Sequence, residues 1–320
     1  MRGDDGQDGA DGRDHAARRP PPRTISPAMG ETTEPAVGPR FPLTREEVRE
    51  VVRLALEEDG ASNDLTTIAT VRSERRARGR LVARQRGVIA GIPLALEAFR
   101  QLDPKVSIRV DVEDGTLVKP GTTVLFLTGH ARGLLTAERV ALNFMQRLSG
   151  IATLTNCYVE AVAGTGARIY DTRKTTPGWR RLERYAVRAG GGVNHRFDLA
   201  SAVLIKDNHL SSVDGDVTLA VRRAREVAPA GTVVQVECDS REQMEAAVAA
   251  GADMVLLDNM PPALLSECVA VAREHGVPTE ASGGVDLHTV RAIAESGVDR
   301  ISIGALTHSS PALDVALDFD

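Results

Sequence analysis

Two hydrophobic rhythms divide the chain. In the first half the apolar period changes repeatedly. Val48, Val51, Val52 and Ala55 recur at helical spacing behind a capping box formed by Thr44 and Glu47. EEDGASNDLTT then reads as a polar turn region, RGRLVARQRGVIAGI as strand, turn and strand, and PLALEAFRQL as a helix. VSIRVDVEDGTLVKPGTTVLFLTG carries two alternating runs around Gly and Pro turns, hence antiparallel strands. Strands grouped with helices, without strict alternation, predict an α+β domain. Thr136 is expected to cap a long helix, TAERVALNFMQRLSG, with Arg139 in its first turn. Its apolar stripe is Val140, Phe144, Leu148 and Ile151, and beside it runs a polar stripe of Arg139, Asn143 and Gln146.

From Ala167 onward the rhythm is regular. ARIYD, AVLIK, TVVQVE, DMVLLD, PTEAS and RISIG are apolar strands, and amphipathic helices such as VTLAVRRAREVA, REQMEAAVAA, PALLSECVAVAREH and DLHTVRAIAES lie between them. Repeated βα units predict a buried parallel sheet. A complete eight-unit barrel takes about 250 residues. Six clear strands in a shorter segment therefore imply an incomplete α/β barrel. The domain division expected is a tail over residues 1–40, an α+β domain over 41–150 ending in the long helix, and a barrel over 151–320 that carries the active site.

Composition narrows the function. The first forty residues are rich in Gly, Asp, Arg and Pro and nearly lack large apolar side chains, so they are expected to be disordered. Met29 is an alternative start. The Arg18–Arg19 pair has no apolar segment behind it, which argues against an export signal. Aromatic residues make up only 3% of the 320, with Trp179 the single tryptophan, so no stacking platform for nucleic acid is expected. No apolar run reaches membrane-spanning length. Cys157, Cys238 and Cys268 match no metal-ligand spacing and read as reduced thiols of a cytoplasmic protein.

Charge supplies the chemistry. Net charge is −5, yet Asp171 to His209 is crowded with Arg173, Lys174, Arg180, Arg181, Arg184, Arg188, Arg196 and Lys206, with His195 among them. A cationic cluster in an anionic chain suits a pocket for a small polyanion. In parallel barrels the functional side chains sit at the C-terminal strand ends. Those ends here are Asp171–Arg173–Lys174, Lys206, Glu237, Asp258, Ser282–Gly283–Gly284 and Gly304. Arginine and lysine there suit carboxylate or phosphate. Glu237 and Asp258 offer hard oxygens for ribose hydroxyls or Mg²⁺. The Gly-containing turns expose N–H groups to phosphate. Arg180, Arg181, Arg184 and Arg188 repeat at helical spacing and read as a solvated face, while His209 and His308 read as structural or supporting residues.

The chain resembles the quinolinate phosphoribosyltransferase family in NDLTT, GVIAGIP, LLTAERVALNFMQRLSGIAT, YDTRKTTPG, AVRAGGGVNHRFDL, VLIKDNH, VECDS, LLDNM, EASGG and SIGALTHS. The resemblance implies a sandwich-like N-terminal α+β domain followed by an incomplete, six- to seven-stranded TIM-like α/β barrel. It implies transfer of a phosphoribosyl group from phosphoribosyl pyrophosphate to quinolinate with decarboxylation, in NAD biosynthesis. The implied substrate-binding positions are Arg139, Thr172, Arg173, Lys174, His195, Arg196, Lys206, Glu237, Asp258, Ser282, Gly283, Gly284 and Gly304. Lys174, Glu237 and Asp258 are implied as catalytic, the two carboxylates also toward Mg²⁺ together with the pyrophosphate. A homodimer, or an assembly of dimers, is implied, with Arg139 donated across the interface. Gln235 departs from members that carry a second glutamate there. Two other readings compete: a lyase using Lys206 as a Schiff-base amine, and a non-catalytic phosphate-binding relative that has lost the dicarboxylate clamp.

Overall fold

The computed structural model describes residues 39–319. The expected disordered tail, apart from its last two residues, and the question of Met29 lie outside the described residues.

The N-terminal elements are α1 (Arg45–Glu58), α2 (Leu65–Thr70), β1 (Arg76–Ala83), β2 (Gly87–Val88), α3 (Ile92–Leu102), β3 (Ser107–Val110), β4 (Leu117–Val118), β5 (Thr123–His130) and α4 (Ala131–Ala161). Thr44 and Glu47 form the expected capping box of α1. NDLTT is more than a turn. Asp64 caps α2 by accepting from the Thr67 N–H, and its other oxygen accepts from Thr136 Oγ1 at 2.9 Å. Thr136 therefore caps nothing: α4 begins at Ala131, one turn or more earlier, and Arg139 lies in its third turn. The 31-residue helix also runs through Gly150 to Ala161, crossing the expected domain boundary. It buries Leu134, Met145, Leu148 and Ile151 completely, each worth about 1.5–3 kcal/mol. That makes it the common wall of both halves.

The second half supplies β6 (Arg168–Tyr170), α5 (Arg180–Ala189), β7 (Val203–Ile205), α6 (Asp207–Ser211), α7 (Val217–Val227), β8 (Val234–Cys238), α8 (Arg241–Ala249), β9 (Met254–Asp258), α9 (Pro262–Glu274), β10 (Thr279–Ser282), α10 (Val290–Glu295), β11 (Arg300–Ser302), α11 (Ala305–His308) and β12 (Val315–Phe319). Six parallel strands form one sheet in the order β6-β11-β10-β9-β8-β7. Chain order is kept around the sheet, and the opening falls between β6 and β7. Val193 partly fills it through a parallel bridge to Tyr170, so six full strands and a seventh stub make the incomplete barrel.

The last strand leaves the barrel. β12 pairs antiparallel with β1 and completes a four-stranded sheet, β12-β1-β5-β3. Gly150 permits this return, because a Cβ there would lie 2.0 Å from the Pro311 carbonyl oxygen. Gln146, on the expected polar stripe, holds the returning segment: its backbone carbonyl accepts from Leu313 N and its side-chain amide donates to Val315 O.

Candidate active site

Parallel register gathers the strand ends on one rim. Ser282 stands beside both Asp258 and Ser302, and Ser302 beside Tyr170. The loops that follow these strands carry the charged residues expected there.

The loop after β6 is built around buried charge. Asp171 is fully buried and accepts from His195 N–H at 2.7 Å, Asn194 Nδ2 at 2.6 Å and Arg184 Nη1 at 3.3 Å. Burial pushes its pKa up to about 6 against the opposing pull of Arg184 and the other donors. Arg184 also donates to the carbonyls of His195 and Arg196. Arg184 is thus buried scaffold, which corrects the expectation of a solvated arginine face. The helix period was right, but α5 turns this position inward. Arg181 and Arg188 remain exposed.

A second buried carboxylate, Glu183, accepts from Arg147 Nη2 at 2.9 Å and from Thr176 N and Oγ1 at 3.0 and 2.8 Å. Arg147 also donates to the Thr307 carbonyl, and Thr307 Oγ1 donates to the Lys174 carbonyl at 2.7 Å. The backbone of Lys174 is therefore fixed, while its ammonium makes no hydrogen bond or ion pair among the described residues. Arg173 Nε is buried without an acceptor. Thr172 Oγ1 accepts from Lys174 N. Arg196 spends one amino group on the Ala202 carbonyl at 2.7 Å. Burial lowers its pKa, and Arg173 adds to the effect.

Lys206 Nζ is ion-paired with Glu237 Oε2 at 2.9 Å. Glu237 and Asp258 line a cavity of about 390 Å³ together with Asp207, Asp214, Asp239 and Gln243. Acidic and basic chemistry are thus segregated, with the Lys206–Glu237 pair at their junction. Among the described residues no three His, Cys, Asp or Glu side chains gather in a metal-holding cluster. Two carboxylates plus ligand oxygens suit Mg²⁺, which commonly takes only one or two protein carboxylates.

The glycine loops have steric reasons. Gly283 and Gly284 adopt φ of +89° and +58°, and a Cβ on Gly283 would fall 2.3 Å from Asn259 Oδ1. Asn259, itself at φ 54°, donates to Asp258 Oδ2 at 2.7 Å and through its N–H to the Ser282 carbonyl. It ties the loops after β9 and β10 together, a role that sequence reasoning missed although the motif LLDNM contains it. Gly304 packs against the Lys174 stem and the His308 ring.

Inside the barrel, Glu280 is fully buried in the middle of β10 and meets His195 Nε2 at 3.3 Å, Gln235 Nε2 at 3.0 Å and Ser302 Oγ. Burial raises its pKa, but these donors outweigh burial and leave it lowered. The signal available was an acidic residue in the interior of a short strand of small residues, Thr279–Ser282. Arg139 is exposed on α4 and makes no hydrogen bond or ion pair with the described residues.

Family models of quinolinate phosphoribosyl transferase match residues 64–149 with the N-terminal domain and 151–318 with the C-terminal domain. A nicotinate-nucleotide pyrophosphorylase [carboxylating] of Mycobacterium leprae is 45% identical over 276 residues, covering 84% of this chain and 96% of that protein. A quinolinate phosphoribosyltransferase [decarboxylating] of Nicotiana tabacum is 38% identical over 292 residues, covering 86% and 83%. The solved nicotinate-nucleotide pyrophosphorylase of Francisella tularensis superposes with a TM-score of 0.81 at 36% identity, covering 89% of this chain and all of that one.

Proposed function

The chain belongs to the quinolinate phosphoribosyltransferase family, and on that premise we propose that it transfers the phosphoribosyl group of phosphoribosyl pyrophosphate to quinolinate with loss of CO₂. The products are nicotinate mononucleotide and pyrophosphate, a step of NAD biosynthesis. The names "carboxylating" and "decarboxylating" describe this one reaction in opposite directions. The observation that carries the site assignment is the pair Arg173 and Lys174: among the described residues, a buried guanidinium N–H has no acceptor beside an ammonium without a partner. Both need an anion, and the buried donor left unpaired costs about 1–3 kcal/mol.

Arg173 and Arg196 would hold the two carboxylates of quinolinate, with Lys206 beside them and His195 forming the wall. Arg139, exposed and unpaired on α4, would enter the site of a second copy in a homodimer. Ser282, Gly283, Gly284 and Thr172 would receive phosphate oxygens through backbone N–H and hydroxyl donors. Glu237 and Asp258 would hold the ribose and, with the pyrophosphate, Mg²⁺, which would supply charge neutralisation of the leaving group. The ring nitrogen attacks C1 as the C1–oxygen bond to pyrophosphate breaks, and Lys174 stabilises the departing oxygens. The positive nitrogen of the pyridinium so formed stabilises the carbanion left at C2 when the carboxylate departs as CO₂, and that electron pair then takes up a proton. The protein's part is positioning and charge, with no covalent intermediate required.

The lyase reading is disfavoured because Lys206 Nζ is engaged by Glu237 Oε2 at 2.9 Å and stands at the junction of the basic rim and the acidic cavity. The binding-only reading is disfavoured because the cations of the clamp are all present. The test is formation of nicotinate mononucleotide from quinolinate and phosphoribosyl pyrophosphate, with and without chelation of Mg²⁺. Turnover of nicotinate as well as quinolinate, or no product from either, would overturn the reading.

A further inference from the structure

The interior carboxylate Glu280 lies on a strand, and among the described residues it pairs with no lysine or arginine. Its partners come from three other parts of the barrel: Gln235 from β8, Ser302 from β11, and His195 from the loop after the Val193 stub. His195 decides what this arrangement means. Its Nδ1 accepts a hydrogen bond from the Arg196 N–H at 2.8 Å. A ring nitrogen that accepts carries no proton, so the proton of the neutral ring sits on Nε2, the atom facing Glu280 Oε1. Turning the ring over would put a carbon against the Arg196 N–H and lose that bond. Both nitrogens of His195 are therefore engaged inside the protein.

The surroundings agree. The charged groups facing this loop are Glu280 from β10, Asp171 from the end of β6, Arg184 from α5, and Arg196 with Arg173 and Asp198 near it. Asp171 and Arg184 fix the backbone of residues 194–196 from outside the barrel, and Glu280 fixes the ring from inside. The next side chain is Arg196, with one amino group spent on Ala202 and the rest of its fork available. Gln235 acquires a reason as well. A second carboxylate 3.0 Å from Glu280 would repel it, whereas the amide donates to it.

We propose that Glu280 is a positioning residue for the quinolinate clamp: it holds His195 as the neutral Nε2–H tautomer, so that His195 contributes orientation, not charge, and aims Arg196 at the substrate carboxylate. This rests on the quinolinate reading of the site. The dicarboxylate then meets arginine and lysine only, and the histidine adds no cation.

Two substitutions separate this from an ion pair. Glu280→Gln keeps an oxygen that accepts from His195 Nε2–H, whereas Glu280→Ala removes it. Loss of a well-placed hydrogen bond to a charged or polar partner is worth about 1.5–3 kcal/mol, or roughly 10- to 100-fold. Glu280→Ala should therefore raise the KM for quinolinate about tenfold or more, with the KM for phosphoribosyl pyrophosphate within about twofold. Glu280→Gln should stay within about threefold of the parent in both. An imidazolium paired with Glu280 would instead make the glutamine variant as impaired as the alanine one, and that outcome overturns the proposal. So does an alanine variant with an unchanged KM for quinolinate. Nitrogen NMR of histidine-labelled enzyme, with His195 identified by its loss in His195→Gln, reads the tautomer directly and needs no Glu280 variant to fold. A proton on Nε2 with Nδ1 bare is expected in the active enzyme, and protonation of both nitrogens refutes the proposal. If the unaltered enzyme turns over no quinolinate, the functional reading fails, and the NMR result alone decides the tautomer.

Discussion

Gly304→Ala isolates the placement of Lys174 from its chemistry. Gly304 has φ −66° and ψ −33°, a conformation open to any residue, so no backbone strain follows from the change. The new Cβ would stand 3.0 Å from Lys174 Cδ and 3.1 Å from His308 Nε2. Carbon pairs rest at about 3.5–4.0 Å, so the lysine stem must retreat by about 0.5–1 Å. The Lys174 carbonyl is held by Thr307, and the retreat therefore falls on the side chain. Displacing a reacting group by about 1 Å costs on the order of 10²-fold in rate. We expect kcat to fall about that far, with the KM for quinolinate little changed, because the proposed role of Lys174 is on the departing pyrophosphate. Removing a glycine from the unfolded chain contributes about 0.4–1 kcal/mol, so stability should stay within about 1 kcal/mol. Steady-state kinetics and a urea transition at fixed protein concentration read both quantities. A kcat within about threefold of the parent would refute the reasoning. So would a stability loss above about 2 kcal/mol, since the defect would then lie in folding.

Glu183→Ala should lower stability by about 3–5 kcal/mol, because it leaves Arg147 and the Thr176 donors without their buried acceptor, and a loss under about 1 kcal/mol in chemical denaturation would reject that role. Asp171 gives a pH signature. Its folded pKa of about 6 lies above its ordinary 3.8, so its protonated form favours the fold. That contribution is complete below the ordinary value and is lost as pH rises through about 6, a change of about 3 kcal/mol. The stability of the parent relative to Asp171→Asn should therefore fall between pH 4 and 7 in thermal melts, and a flat difference would contradict the assignment. Arg139→Ala and Lys174→Ala chains, each nearly inactive alone, should recover partial activity on mixing and subunit exchange. No recovery, with mixed dimers demonstrated by mass, would place Arg139 outside a neighbouring site.

Much of the rim was legible because parallel strands advertise their ends. Near-continuous apolar runs stop at Asp171, Lys206, Glu237, Asp258 and Ser282, and parallel register brings all of these ends to one edge. The start of α4 was not legible. His130 and Ala131 carry no capping side chain, whereas Thr136 looks like one and in fact serves Asp64, 72 residues earlier. The return of β12 was equally hidden, since VALDF alternates too briefly to announce a strand and its partner lies at the other end of the chain.

The cations divide by a physical criterion that sequence spacing could not supply. Arg147 and Arg184 find their carboxylates and carbonyls within the fold, and each is surrounded by acceptors from several elements. Satisfied in this way, they hold loops and have little left to offer a ligand. Among the described residues, Arg173, with an unpaired buried N–H, Lys174, with a fixed backbone and a bare ammonium, and Arg139, exposed without an ion-pair partner, are cations left with polar atoms to spare. His195 stands in the same motif as these cations, yet both its ring nitrogens have partners within the protein, Glu280 and the Arg196 N–H. A residue's place in a motif indicates that it stands near the substrate. Whether it touches the substrate or holds the residue that does depends on which of its polar atoms remain unpaired.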